Sequence, residues 1–149
     1  VLDRPINFFG KRPNALIMVT IFEIWRYFPL SFLFILARMQ SIDIEMYEAA
    51  DMDGASPLQK FWYISLPMLI GIMSILFLLR FIWTFNKFDD IFLLTGGASG
   101  TRTLTVNVYE QAFAVSNIGA GAAVAVVIFI FLLIFSLLFF QFFSQEEGL

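Results

Sequence analysis

Three places in this chain bring ionisable side chains close enough to do chemistry. Glu48, Asp51 and Asp53 crowd a glycine, Gly54; Glu23 and Arg26 stand three apart inside an apolar run; and Asp89-Asp90 close another run. The chain has no His and no Cys. That removes a Ser-His-Asp triad, a Cys nucleophile, a disulfide and any imidazole or thiolate metal site. Asp51-Met52-Asp53-Gly54 looks like part of a calcium loop. Placing Gly54 at the loop's glycine position, however, puts Ala49 and Lys60 where its first and last oxygen ligands belong. Asp89 and Asp90 have no third group to complete an acid/base set. The Gly-rich stretch 96–102 lacks the Gly-Lys-Ser/Thr ending that holds phosphates, so it reads as a surface turn. A net charge of −3 argues against a basic face for nucleic acid. No catalytic or metal-ligating residue is expected, and the chain does not read as an enzyme.

The elements around these residues are set by composition. Of 149 residues, 60% are hydrophobic, 14% are charged and twenty are Phe. Soluble domains run at roughly 45–50% apolar and about 25% charged, so the natural solvent here is the bilayer. Three stretches reach the ~20 apolar residues that a ~30 Å hydrocarbon core demands: 15–37, 67–85 and 119–143. The expected fold class is an all-α membrane protein with three transmembrane helices. The last span carries no charge over 119–140 and should insert readily. In the first, thirteen Leu, Ile, Phe and Val residues contribute about −6 kcal/mol, nearly cancelled by Glu23 and Arg26 at about +3 each. That span should therefore be a bundle helix with both charges turned inward, bent at Pro29. The spacing of Glu23 and Arg26 allows an ion pair between them; a place on a substrate path is the other reading. Arg80, near Trp83, is expected to snorkel to the interface. Gly119, Gly121, Ala123 and Ala125 form two small-xxx-small pairs suited to close helix contact.

Between the first two spans, 38–66 reads as two short helices. Asp43 can cap the first, and Gly54 stands where a left-handed C′ residue belongs. Ser56-Pro57-Leu58-Gln59 is a capping box with proline at N1, opening the second. The expected local structure is a helix–glycine–helix elbow at the membrane surface. The second connection, 86–118, has a turn-rich centre, after which Leu104, Val108 and Ala112, with Tyr109 and Phe113, share one helical face.

The elbow carries a recognisable pattern. Glu48-Ala49-Ala50, three residues, Gly54, nine residues, Ile64, one residue, then Leu66-Pro67 resembles the EAA signature of ABC-transporter permeases, the inner-membrane components of binding-protein-dependent importers. Asp53-Gly54-Ala55 matches its extended form. Phe85-Asn86-Lys87-Phe88-Asp89-Asp90-Ile91, Leu94-Thr95-Gly96-Gly97, Thr103-Leu104, Tyr109 with Ala112-Phe113, and Gly121-Ala122-Ala123 are similar to the carbohydrate branch. The resemblance extends over nearly the whole chain. It departs at Asp43, where the family usually has proline. By the same comparison about three upstream core helices are missing, and with its opening at Val1 the chain reads as the C-terminal part of a longer permease.

The resemblance implies a multi-pass subunit of the bacterial inner membrane that imports a sugar. Glu48, Ala49, Ala50, Asp53, Gly54, Ala55, Ile64, Leu66 and Pro67 would couple it to an ATP-binding subunit dimer. ATP would be bound by that partner, with no cofactor on this chain. A second permease subunit, an extracytoplasmic solute-binding protein and membrane lipid complete the expected partners. Glu23, Arg26, Asn86 and Asp89 are the candidate substrate-path residues. A permease for another solute (glycerol phosphate, a polyamine or a peptide) and a non-transport membrane scaffold are the alternatives. Loop charge points the other way on orientation. Only Arg38 and Lys60 fall on the proposed cytoplasmic side, against Arg4, Lys11, Arg12, Lys87 and Arg102 outside. The motif is given precedence over that bias.

Overall fold

The computed structural model describes residues 7–143, and Arg4 lies outside them. Seven α-helices follow in chain order: α1 (Asn14–Gln40), α2 (Ile44–Met52), α3 (Pro57–Lys60), α4 (Leu66–Phe85), α5 (Asp89–Thr95), α6 (Leu104–Tyr109) and α7 (Ile118–Phe143). There is no strand among the described residues. Three helical stretches are long and apolar enough to cross a bilayer: Asn14–Gln40, Pro57–Phe85 and Ile118–Phe143. At 1.5 Å per residue the shortest is about 39 Å long. The first runs unbroken through Pro29.

The second span is longer than the sequence suggests. The two-helix elbow was expected to stop before it, but α3 runs into α4 through a π turn, Phe61–Ser65. Leu66 N–H closes that turn on the Phe61 carbonyl. Pro67 follows at once. It has no N–H to give the ladder, so a widened turn just upstream joins a stretch where regular bonding is already interrupted. The outcome is one helical rod of 29 residues rather than a short helix hinged on a span.

Aromatic side chains set the register between α4 and α7. Phe77 meets Phe139 with centroids 6.2 Å apart, Phe81 stacks on Phe135 at 3.9 Å, and Phe85 lies 5.0 Å from Phe131. Each step of four residues along α4 is answered by a step of four back along α7, as an antiparallel pair with i, i+4 side chains on one face requires. Such ring pairs contribute about 0.5–1.5 kcal/mol each beyond their buried area. Where they end, helices come closer. A Cβ on Gly121 of α7 would lie 3.1 Å from the Val108 carbonyl oxygen and 3.2 Å from the Ala112 Cβ. Gly121 is thus the small residue that makes the contact, while Gly119 and Ala123 stay exposed.

The connection 86–118 folds back over the start of α1. Val19, Ile91 and Val106 form a buried cluster, with Phe88 and Leu94 packed against it. This corrects the face expected for α6. Val108 and Ala112 do turn toward α7, but Val106 is the fully buried residue, and Leu104 and Phe113 are exposed. A short helix wedged between two neighbours buries two sides, and one stripe cannot describe it. The elbow and this connection therefore lie at opposite ends of the spans.

Candidate functional site

At the elbow, side chains close the ends the backbone leaves open. The Asp43 carboxylate accepts from Glu45 N–H at 3.1 Å at the start of α2. Gly54 takes φ +75°, and its N–H reaches the Asp51 carbonyl at 3.0 Å. Ser56 and Gln59 form the reciprocal capping box, at 2.8 and 3.4 Å. An ion pair between Lys60 and Asp51, 2.6 Å, braces α3 against α2. Glu48, Ala49, Asp53 and Gly54 are exposed, with Ala50 and Ala55 half-buried beside them. Met52, 89% exposed, stands between them in the chain, so the exposed elbow mixes acidic and small residues with a bulky apolar one. Ile64 and Leu66 are half-buried and Pro67 exposed, all three on the α3–α4 rod. The structure therefore divides the motif into a presented surface and the element that backs it.

At the other end of the spans is a cluster of five charges around one tyrosine. Asp90, at the start of α5, has a side chain only 7% exposed and pairs with both Arg26 and Lys87. Lys87 also lies 3.4 Å from Glu23 and hydrogen-bonds the Tyr27 hydroxyl. Its ammonium stands 4.2 Å from the centre of the Tyr27 ring, and the Arg80 guanidinium stands 3.8 Å from it. Arg80 comes within 4.0 Å of Glu23. Behind Lys87, its backbone carbonyl accepts from the hydroxyls of Thr103 and Thr105, which ties the cluster to α6. Glu23 Oε1 is buried without a hydrogen-bond partner among the described residues. In low dielectric such an acceptor is costly to leave unmet.

One expectation is corrected here. Glu23 and Arg26 share a helix face but do not pair with each other. Each finds an opposite charge on another element, Glu23 toward Lys87 and Arg80, Arg26 on Asp90. Arg80, placed by the sequence near the interface, lies over the Tyr27 face and within 4.0 Å of Glu23. Trp83 does remain partly exposed, 6.2 Å from Tyr27. Of the other two candidates, Asn86 is exposed and its amide donates to the Ile82 carbonyl at 3.0 Å, while Asp89 is exposed. Both line an open cleft of about 350 Å³ together with Arg26, Tyr27, Trp83 and Asp90. A larger groove of about 440 Å³ between α4, α6 and α7 is mostly apolar, with Asn86, Thr105 and Ser136 as its polar residues and no charged lining. Reading the sequence missed Tyr27 and Lys87 as site residues, set Asp90 aside with Asp89 as an acid/base pair, and read Arg80 as an interface residue. The i, i+3 spacing of Lys87 and Asp90 was the available signal, and it needed the start of α5 to be placed.

The family described as "Binding-protein-dependent transport system inner membrane component" matches residues 6–146. The chain belongs to this family. With its three apolar spans it is a multi-pass inner-membrane protein. Among its relatives is the inner membrane ABC transporter permease protein YcjO of Escherichia coli, 40% identical over 115 residues, which are 77% of this chain and 38% of that protein. The trehalose/maltose transport system permease protein MalF of Thermococcus litoralis is 31% identical over 91% of this chain and 46% of its own length. The arabinooligosaccharides transport system permease protein AraP of Bacillus subtilis is 29% identical over 97% and 47%. The chain thus spans less than half the length of these relatives.

Proposed function

We propose that this chain forms part of the permease subunit of an ABC importer for a sugar, and that its elbow receives the stroke of a partner that hydrolyses ATP. The observation that carries the reading is the elbow itself. It is capped at both helices, turned by Gly54 at φ +75° and braced by Asp51–Lys60, and it presents Glu48 beside the small, exposed Ala49. Small side chains let a partner's backbone approach, and a carboxylate offers a charge-assisted bond to a basic partner residue. The relatives MalF, a trehalose/maltose permease, and AraP, an arabinooligosaccharides permease, support a sugar as the solute. A sugar brings hydroxyls for the Asn86 and Asp89 side chains and a C–H face for the Trp83 ring, all of which line the cleft. Substrate would pass the cleft bordered by Arg26, Asn86 and Asp89, and a second permease subunit would supply its other wall. The connection 86–118 would face the solute-binding protein outside.

The test is association and stimulation. The full-length permease should co-purify with a nucleotide-binding subunit, and the loaded solute-binding protein should raise ATP hydrolysis by the assembly. Failure of both would instead favour the membrane scaffold. Orientation has its own check. A cysteine at exposed Ser56, in a chain that has none, should react with a membrane-impermeant thiol reagent only from the cytoplasmic side. Labelling from outside would reverse the topology.

A further inference from the structure

On this reading of the elbow as the receiver of the stroke, something must pass displacement of α2 on to the span. The glycine turn is a poor candidate, because a left-handed glycine with open space around it is a soft joint. No atom lies within 4 Å of where a Gly54 Cβ would stand. Asp51–Lys60 joins α2 only to α3, at the surface, where an exposed ion pair is weak and screened. One polar contact reaches deeper. The Tyr47 hydroxyl lies 2.9 Å from Ser65 Oγ. Tyr47 is half-buried and stands one turn before Asp51 on the same face of α2, the face turned to the α3–α4 rod. Ser65 is 5% exposed and is the last residue of the π turn, directly before Leu66-Pro67.

We infer that the Tyr47–Ser65 hydrogen bond is the positioning link that carries motion of α2 into the α3–α4 rod. Its geometry suits the task. A tyrosine has two side-chain torsions and a rigid ring, so it acts as a strut at low entropic cost. Ser65 lies where regular helix bonding is interrupted by the π turn and by the missing N–H of Pro67, which is where a helix bends with least loss. On the other side of Pro67, Arg38 Nε donates to the Met68 carbonyl at 3.0 Å, holding the end of α1 to α4. A push at α2 therefore enters the rod at Ser65, while α4 stays latched to α1 three residues on. Tyr47 acts through Ser65 and need not touch solute or nucleotide.

The assembled transporter in proteoliposomes tests this, through solute moved per ATP hydrolysed. Tyr47→Phe keeps the ring and removes only the hydroxyl; Ser65→Ala removes the other half. Each should lower the ratio about fivefold, the equivalent of one neutral hydrogen bond, with solute-stimulated ATP hydrolysis retained. The double variant should be no worse than either single one, because both remove the same contact. A wild-type ratio in both single variants, with or without a fall in membrane abundance, overturns the inference. A wild-type assembly whose ATP hydrolysis ignores solute would overturn the coupling role of the elbow instead, which separates the two failures.

Discussion

Asp90→Ala destabilises the protein by about 3–5 kcal/mol, while the same change one residue earlier, Asp89→Ala, stays within about 0.5 kcal/mol. The two carboxylates differ in sequence by nothing but register. Asp89 is exposed; Asp90 is buried where Arg26 and Lys87 converge. Truncating Asp90 leaves three cations against one carboxylate, Glu23. Arg26, with a side chain 47% exposed, can swing toward water. Lys87, at 12%, cannot, so most of the penalty falls on it. Adding Lys87→Met to Asp90→Ala should therefore recover part of the loss, a coupling that independent sites would not show. Thermal unfolding of the detergent-solubilised protein reads all four forms. Equal midpoints for Asp89→Ala and Asp90→Ala would remove the cluster as a stabilising unit.

That pair of neighbours also shows where reading the sequence stops. The spans were legible because a bilayer imposes a length and a composition that few other structures share. The elbow was legible because capping is local: Asp43, Gly54 and the Ser56–Gln59 box each act within four residues of chain, and all three take the expected geometry. The charge cluster joins residues 23, 26 and 27 to 80, 87 and 90, and no local rule selects among partners more than fifty residues away. The candidates Asn86 and Asp89 flank or adjoin the true members, because α5 begins without a capping side chain to announce its register. The phenylalanines of α4 and α7 mark a bilayer environment by their number, yet their spacing of four is also a pairing code. It becomes readable once the two helices are known to run antiparallel.

Gly54→Pro should abolish solute stimulation of ATP hydrolysis in the assembled transporter, whereas Gly54→Ala should keep most of it. Space does not distinguish the two, since nothing lies near the glycine's missing Cβ. Torsion does. Alanine at φ +75° costs about 1–2 kcal/mol, which a braced turn can absorb. Proline is held near φ −65° and also deletes the N–H that meets the Asp51 carbonyl, for a cost of about 3 kcal/mol or more. The chain can escape only by opening the turn, which swings α2 away from α3 and pulls Tyr47 off Ser65. Gly54→Asn is the complementary case, because asparagine tolerates the left-handed region better than alanine, and it should couple at least as well. The ordering Gly, Asn, Ala, Pro in stimulated ATP hydrolysis is thus the expected signature of a conformational requirement. A proline variant that stimulates normally would show that the angle between α2 and α3 has no part in coupling.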